Sequence, residues 1–210
     1  DKEQAEAYSS ADFSEPHNRF VDLASKLVES KSHKSILDIG IGDADIAIRL
    51  IKKFPAMNVT GFDGSLAMLR HAKKKIESSG FSDKIFCHHY LIENKPFAKK
   101  KFDLIISNSV LHHVKYPNLF WLLVKDRISQ NGKFFIMDLL RPKSIEDAER
   151  LVNKHANDEP AQLKKDFFNS LLAAYTLNEI KDQLKENNLT ECNVEQITDR
   201  HFVVFGSMFA

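Results

Sequence analysis

A glycine turn between two apolar segments is the part of the sequence best suited to bind a nucleotide. Residues 35–50 read SILDIGIGDADIAIRL, a buried-strand pattern followed by an amphipathic helical pattern. Gly40 and Gly42 allow the chain to turn sharply and to bring its backbone close to a ligand. The fingerprint of a dinucleotide site has a third glycine, and Asp45 stands in its place. The turn therefore predicts a nucleotide-type ligand that tolerates carboxylates.

The carboxylates around this turn indicate which ligand that is. Asp38, Asp43 and Asp45 would repel a pyrophosphate, although one of them could instead cap the helix. A ligand that carries a sulfonium and an ammonium group suits them better. Asp63 ends the second predicted strand, 21 positions after Gly42, where an acidic side chain binds ribose hydroxyls. The electrostatics thus predict S-adenosylmethionine rather than NAD as the cofactor.

A second group of side chains could move a proton. His112 and His113 follow the fourth predicted strand, and Asp138 ends the fifth, at the edge of the sheet where ligands bind. These three residues are the candidate catalytic groups, but a histidine could instead face the core and Asp138 could hold loop amides. Arg141 could pair with Asp138 or with an anionic substrate. We expect no metal, because adjacent histidines on a strand point to opposite faces.

Strand-like segments alternate with helical segments along the first two thirds of the chain, which predicts a parallel sheet covered by helices. Predicted strands lie at residues 36–39, 58–64, 84–90, 102–109 and 133–140. Predicted helices lie at 46–54, 65–80 and 116–132, with two more in 141–175 that divide near Pro160. A further helix and a hairpin that turns around residues 198–200 close the chain. The expected fold class is α/β, a doubly wound Rossmann-like sheet of seven strands, the last antiparallel, with helical cover segments.

We predict a single domain over residues 1–210, with four parts. Residues 1–34 form an N-terminal helical cover, 35–140 the cofactor-binding core, 141–175 an inserted helical cover, and 176–210 the closing helix and hairpin. Both covers carry aromatic residues, among them Phe167 and Phe168, and are expected to enclose a small, mostly apolar chamber. Water must be excluded from such a chamber for methyl transfer.

The composition argues against several partners. The chain has 210 residues and a net charge of +1, so it has no overall field to attract nucleic acid. The lysines at 99–101 are expected to be a solvated loop. Two cysteines without metal-type spacing, no long apolar run and no signal peptide favour a cytoplasmic protein without membrane insertion.

Three segments resemble the class I S-adenosylmethionine-dependent methyltransferases: LDIGIG, VTGFDGSLAML and FDLIISNSVLHHV. The resemblance extends over residues 35–140 and is strongest to the small-molecule group that includes the quinone-biosynthesis C-methyltransferases. That group shares the LHHV segment and a D-x-x-R-P segment. The chain departs from the family pattern at Ala44, where a glycine is usual, and in HHYLIENKPF, where an aspartate often lies near the adenine.

The resemblance implies a role for each residue that matches the family pattern. Asp38, Gly40 and Gly42 would lie near the methionine part, Asp63 would bind the ribose, and Asn108 with Ser109 would flank the transferring methyl. The remaining residues implied to contact the cofactor are Tyr8, Ser65, Met68 and His89.

The predicted function is S-adenosylmethionine-dependent methyl transfer to a small-molecule acceptor by in-line displacement. Two alternatives remain from the sequence: a non-catalytic, methyltransferase-like binding protein, and an RNA methyltransferase steered by the lysines at 99–101. The motif that many methyltransferases acting on nucleic-acid bases carry after the fourth strand is absent, because this position reads SNSVLH. The oligomeric state and the accepting atom are not encoded in any pattern of the sequence.

Overall fold

Seven strands form one mixed sheet in the order β3-β2-β1-β4-β5-β7-β6. The computed structural model describes residues 13–28 and 35–207. β1 to β5 are parallel, and β7 is antiparallel to both β5 and β6, which confirms the predicted fold class. The strands are β1 Ser35–Ile39, β2 Asn58–Asp63, β3 Ile85–His89, β4 Phe102–Asn108, β5 Ile128–Leu139, β6 Asn193–Gln196 and β7 His201–Ser207.

Helices follow the strands in the expected alternation until the end of β5. They are α1 Ser14–Ser25, α2 Asp45–Lys53, α3 Leu66–Ser79, α4 Pro117–Arg127, α5 Ile145–His155, α6 Ala161–Ala173 and α7 Leu177–Glu186. The hydroxyl of Ser65 caps α3 by accepting from the amide of Met68, and Gly80 ends it with a φ of 75°. Two short 3-10 turns, Ile92–Asn94 and Leu111–His113, complete the described elements.

Apolar side chains cover both faces of the sheet. On one face Phe20 of α1 packs edge-on against Phe135 of β5, within a cluster that also contains residues of α2 and α3. On the other face α4 and α7 pack together, and the indole of Trp121 donates to the side chain of Gln183 at 2.8 Å. A third cluster joins α5 and α6 to the end of β5. The carboxyl ends of the parallel strands are thereby held at a common edge.

The predicted helix over residues 116–132 is too long. α4 ends at Arg127, and Ile128 is already extended, with φ of −74° and ψ of 138°. Ile128 pairs with Phe102 of β4, so tertiary pairing overrides the helical pattern of the following residues. A Cβ at Gly132 would lie 2.7 Å from Cγ1 of Ile128. A larger residue at position 132 would therefore force the Ile128 side chain or the Ser129 carbonyl to shift.

The N-terminal cover is described only in part. α1 lies against α2, with His17 paired to Asp45, while residues 1–12, including Tyr8, lie outside the described residues. Within the described part of the chain, no helix is long and apolar enough to cross a membrane.

Candidate functional site

The glycine turn joins β1 to α2 at the carboxyl edge of the sheet. The amides of Gly40 and Ile41 both donate to the carbonyl of Phe62, at 2.9 and 3.0 Å, which ties the turn to β2. Gly40 and Gly42 have φ values of 76° and 56°. A Cβ at Gly40 would lie 2.2 Å from Cγ2 of Val110. Glycine is therefore required at Gly40 both by its backbone conformation and by this close approach.

Asp63 connects the glycine turn to the start of α3. Its Oδ2 accepts from the amide of Gly42 at 3.0 Å, and its Oδ1 accepts from the amide of Ser65 at 2.7 Å. A carboxylate offers about four lone-pair positions, so two remain for further donors. Burial raises the pKa of Asp63, although the Ser65 and Gly42 amides act in the opposite direction. This arrangement fits the binding of two ribose hydroxyls.

Asp38 is a buried carboxyl at the end of β1. Burial, followed by the neighbouring charge of Asp63, raises its pKa to about 8. A cationic ligand beside Asp38 would favour the ionised carboxylate and would lower this pKa. The pair of carboxyls therefore fits a ligand with an ammonium or sulfonium group better than a phosphate.

The other two carboxylates of the turn are already neutralised. Asp43 accepts from Lys75 at 2.7 Å, and Asp45 pairs with His17, Arg49 and Lys75. Despite its burial, the pKa of Asp45 is lowered by these three partners. The expectation that both side chains contribute a negative potential at the turn is therefore wrong. The potential at the turn therefore depends on the ionisation of Asp38 and Asp63, both of which have a raised pKa, because the cationic partners of Asp43 and Asp45 come from α1, α2 and α3.

The end of β4 places two further predicted residues at the same edge. Asn108 ends the strand, and its Oδ1 is buried without a hydrogen-bond partner in the described part of the chain. Ser109 has a φ of 56°, and its amide donates to the carbonyl of Met137 at 2.9 Å. A buried acceptor without a donor is costly unless a ligand satisfies it. Asn108 therefore fits a position against a bound polar group.

Three predicted adenosine contacts surround Asp63. The hydroxyl of Ser65 is engaged as the cap of α3, while Cε of Met68 lies 3.5 Å from the Cβ position of Gly42. His89 is exposed, and its Nε2 lies 3.1 Å from the carbonyl of Gly64. Leu91 is also exposed and lies 2.8 Å from the Cβ position of Gly64. Gly64 therefore leaves room for Leu91 to form one wall beside this group.

His112 and Asp138 form a buried pair under α6. Nδ1 of His112 lies 2.6 Å from Oδ1 of Asp138, and the amides of Leu111 and Leu139 donate to the same carboxylate at 2.7 and 2.6 Å. Because Asp138 accepts, the pairing assigns the proton to Nδ1 and leaves Nε2 with a free lone pair. This Nε2 is buried and has no hydrogen-bond partner among the described residues. The geometry is that of an oriented proton acceptor.

Two further candidates, His113 and Arg141, lie near this pair. His113 is exposed, with its ring centre 3.9 Å from that of His112. Arg141 does not reach Asp138: it donates to the carbonyl of Ala174 at 2.7 Å and to Glu179 at 3.0 Å. Arg141 thus ties β5 to α7, leaving His112 as the side-chain partner of Asp138.

A cavity of about 480 Å³ lies beside the end of β5, between α1, the end of α5 and the turn between β6 and β7. Its lining includes Arg19, Lys154 and Arg200 together with Glu15 and Asp199. This polar cavity contains no residue of α6 and so differs from the predicted apolar chamber, which stays a prediction because residues 1–12 lie outside the described part of the chain. The aromatic residues expected to line it, Phe167 and Phe168, pack instead against the apolar cluster between α5 and α6.

The sequence analysis missed the three cations of this cavity. They come from three elements that are far apart in the chain, and each resembles an ordinary surface residue in its own segment. The turn predicted at residues 198–200 is present where the hairpin reverses, and it forms one wall of the cavity. Only the tertiary structure brings that turn to Arg19 and Lys154.

Comparisons with known proteins agree with this geometry. A family model described as a methyltransferase domain matches residues 30–196. A demethylmenaquinone methyltransferase of Porphyromonas gingivalis is 26% identical over 123 residues, 58% of this chain and 50% of that protein. A ribosomal RNA small subunit methyltransferase C of Buchnera aphidicola subsp. Schizaphis graminum is 30% identical over 96 residues, 44% of this chain and 27% of that protein.

Among solved structures, the plantazolicin methyltransferase BpumL in complex with a triazolic desmethylPZN analog and SAH shares the fold, with a TM-score of 0.69. It is 16% identical in sequence, and the match covers 93% of this chain and 86% of that one. The chain spans half or less of the length of the two curated relatives. The family match extends over most of the chain and confirms the predicted cofactor class. The chain belongs to the methyltransferase domain family, whose methyl donor is S-adenosylmethionine.

Proposed function

We propose that this protein transfers a methyl group from S-adenosylmethionine to a small-molecule acceptor. The observation that carries the acceptor class is the cavity of about 480 Å³ beside the end of β5. Ligand pockets for small molecules have volumes of about 300–1,000 Å³. Met137 lines this cavity, and its carbonyl accepts from the amide of Ser109, so the cavity adjoins the end of β4.

In the proposed reaction the carboxyl edge of β1, β2 and β4 binds the cofactor. When bound, S-adenosylmethionine supplies an activated methyl group, so alignment and the exclusion of water remain for the protein. Asp63 accepts from the ribose, Asp38 faces the cationic part, and the buried Oδ1 of Asn108 accepts a donor near the methyl. Ser109, Ser65, Met68 and His89 border these groups. The assignment of Tyr8 as a donor stays a prediction.

We assign the role of proton acceptor to His112. Asp138 holds Nδ1 and thereby directs the lone pair of Nε2 away from itself. A base is needed only where the accepting atom must lose a proton, as an O–H or an activated C–H does. Nε2 is buried, and the 3-10 turn that carries His112 lies close to α6, so we propose that α6 moves to expose Nε2 when the acceptor binds. His113 acts only as a neighbour of the His112 ring in this proposal.

The position of the lysines at 99–101 argues against RNA as the acceptor. They precede β4, at the edge of the sheet opposite the glycine turn. Lys100 is exposed, and its Nζ donates to Thr60 at 3.0 Å and lies 4.9 Å from the centre of the Phe102 ring. This position supports a small-molecule acceptor over an RNA steered by these lysines. A cytoplasmic location stays a prediction.

The test is to measure S-adenosylhomocysteine formation with a panel of phenols, enolisable ketones and carboxylic acids, beside a transcript of ribosomal RNA. Calorimetric titration with S-adenosylhomocysteine is run in parallel. We expect saturable binding and turnover of at least one small molecule. Binding without any turnover would favour the non-catalytic alternative, and turnover confined to the transcript would contradict the proposed acceptor class.

A further inference from the structure

The lining of the cavity beside β5 changes from buried to exposed along its depth. Met137 and His201 are almost completely buried, whereas the side chains of Arg19 and Lys154 are 43% and 65% exposed. The side chain of Arg200 is 17% exposed and stands between these extremes. A ligand that enters therefore passes cationic groups before it reaches the end of β5.

Cations outnumber carboxylates on this lining. Asp199 is shared by Lys154 at 2.7 Å, His155 at 2.9 Å and Arg200 at 3.2 Å, so one carboxylate faces two permanent cations. On the opposite wall Arg19 pairs with Glu15 at 2.7 Å, in an exposed pair that water screens. An excess of positive charge therefore remains in a partly enclosed space.

Arg200 has an open hydrogen-bonding edge. In the described part of the chain, its side-chain hydrogen bonds to His155 and Asp199 all use Nη1. Nε and Nη2 remain, and two guanidinium N–H groups side by side match the two oxygens of a carboxylate. The backbone of Arg200 is fixed, because its amide donates to the Thr198 hydroxyl and its carbonyl accepts from Leu140. The guanidinium is therefore attached to a rigid turn.

We propose that this cavity binds a carboxylate of the methyl acceptor, with Arg200 as its main ligand and Arg19 as a weaker one on the facing wall. This inference rests on the proposed function and names the substrate class for it. The carboxylate would lie toward the opening, and the rest of the acceptor would extend toward Met137, whose carbonyl is bound by Ser109. The acceptor is thus an organic acid whose nucleophile lies away from its acidic group.

The rival explanation is that the pairs around Asp199 serve only to tie the β6–β7 turn to α5. In that case removal of Arg200 would lower stability and would leave the binding of acids unchanged. The two explanations are separated by a ligand-binding readout that does not depend on methyl transfer.

The experiment is NMR titration of the complex with S-adenosylhomocysteine, using benzoate and its neutral counterpart benzamide. We expect benzoate to bind at least about tenfold more tightly, because charge-assisted hydrogen bonds discriminate by that order. Arg200→Gln should remove this preference, and Arg19→Gln should reduce it by about two- to threefold. Arg150→Gln, which removes an arginine of α5 that pairs with Asp147 outside this lining, should leave it unchanged.

Equal binding of benzoate and benzamide would overturn the proposal, and so would an equal loss in Arg200→Gln and Arg150→Gln. Arg19→Gln keeps the test valid should Arg200→Gln fail to fold, because Arg19 lies on the surface of α1 and does not contact Asp199. Binding of benzoate that depends on Arg200 and Arg19, in a protein that methylates no acceptor, would support the carboxylate site while contradicting the proposed function.

Discussion

The two halves of the carboxyl edge of the sheet hold their polar groups by different means. At the cofactor edge, formed by the ends of β1, β2 and β4, Asp63 is held by the amides of Gly42 and Ser65. At the acceptor edge, formed by the end of β5 and the turn before β7, side chains hold one another, as Lys154 and Asp199 do across 45 positions. Backbone amides thus hold the carboxylate proposed to contact the cofactor, whereas a side chain, Asp199, holds the cations proposed to contact the acceptor. Cofactor binding should therefore depend mainly on the backbone of the fold, whereas the choice of acceptor should depend on a few side chains.

The largest effect should come from removing His112, which follows β4 in the chain but is held by Asp138 at the end of β5. Replacing His112 with alanine removes the proposed proton acceptor, so we expect turnover to fall by about 10²–10⁴-fold. The affinity for S-adenosylhomocysteine, measured by calorimetry, should stay the same. His113→Ala is the matched control and should lower turnover by less than about tenfold, because His113 is exposed and does not contact Asp138. A loss of affinity for S-adenosylhomocysteine in His112→Ala as large as its loss of turnover would contradict the separation of the two edges.

The reverse experiment removes the central carboxylate of the cofactor edge. Asp63→Ala should weaken S-adenosylhomocysteine about 100-fold, because a charge-assisted contact to the ribose is lost in a partly buried site. Asp83→Ala, which removes an exposed aspartate before β3, serves as the control and should leave the affinity unchanged. Calorimetric titration of both variants measures the difference. An unchanged affinity in Asp63→Ala would exclude the ribose assignment.

Gly40 and Gly80 have the same backbone conformation but different surroundings. Alanine substitutions at these two positions therefore separate the cost of backbone strain from the cost of a steric clash. Gly40 and Gly80 have φ values of 76° and 75°, but a Cβ at Gly80 meets no atom within 4 Å. Gly80→Ala should therefore cost about 1–2 kcal/mol in the free energy of unfolding, from backbone strain alone. Gly40→Ala should cost about 1–3 kcal/mol more, because its Cβ collides with the stiff side chain of Val110. Urea denaturation measures the free energy of unfolding of both variants. Equal losses would show that the Val110 side chain moves aside without an energetic cost.

The smallest effect is a pH dependence specific to the cofactor edge. With a pKa of about 8, Asp38 is mainly protonated at neutral pH and must lose its proton before it can pair with a cationic ligand. The affinity for S-adenosylmethionine should therefore rise with pH, by up to about tenfold per unit between about pH 6 and 7, with proton release on binding. Calorimetry in two buffers of different ionisation enthalpy measures that release. Asp38→Asn should abolish it, and release that persists in Asp38→Asn would assign it to another group.

Local signals in the sequence predicted much of the fold. Ser65 and Gly80 mark the two ends of α3, and residues 198–200 mark the reversal of the hairpin, because caps and turns depend on neighbouring residues. The end of α4 was missed, since only pairing with Phe102 draws Ile128 into the sheet. The positions of Gly40, Gly42 and Asp63 at one turn followed from strand order and spacing, although their roles stay predictions.

Distant partners explain what the sequence did not predict. The charges of Asp43 and Asp45 are neutralised by Lys75, about 30 positions away, and by His17 and Arg49. The i,i+4 spacing of Asp45 and Arg49 indicates one of these pairs, but no pattern within one segment indicates the pairs with Lys75 and His17. The charged lining of the cavity has the same origin, because its three cations meet only after α1, α5 and the β6–β7 turn pack together.

Hydrogen exchange with and without S-adenosylhomocysteine tests most directly whether the two edges act as one site. We expect amides at residues 40–44 to gain protection, because the cofactor edge binds the ligand with its backbone. Protection should also rise in α1 and α6, one described helix from each cover, as they close toward the bound cofactor. The Asp63→Ala variant at the same ligand concentration should show neither change. Protection confined to residues 40–44, with α1 and α6 unaffected, would contradict closure and would leave the two edges independent.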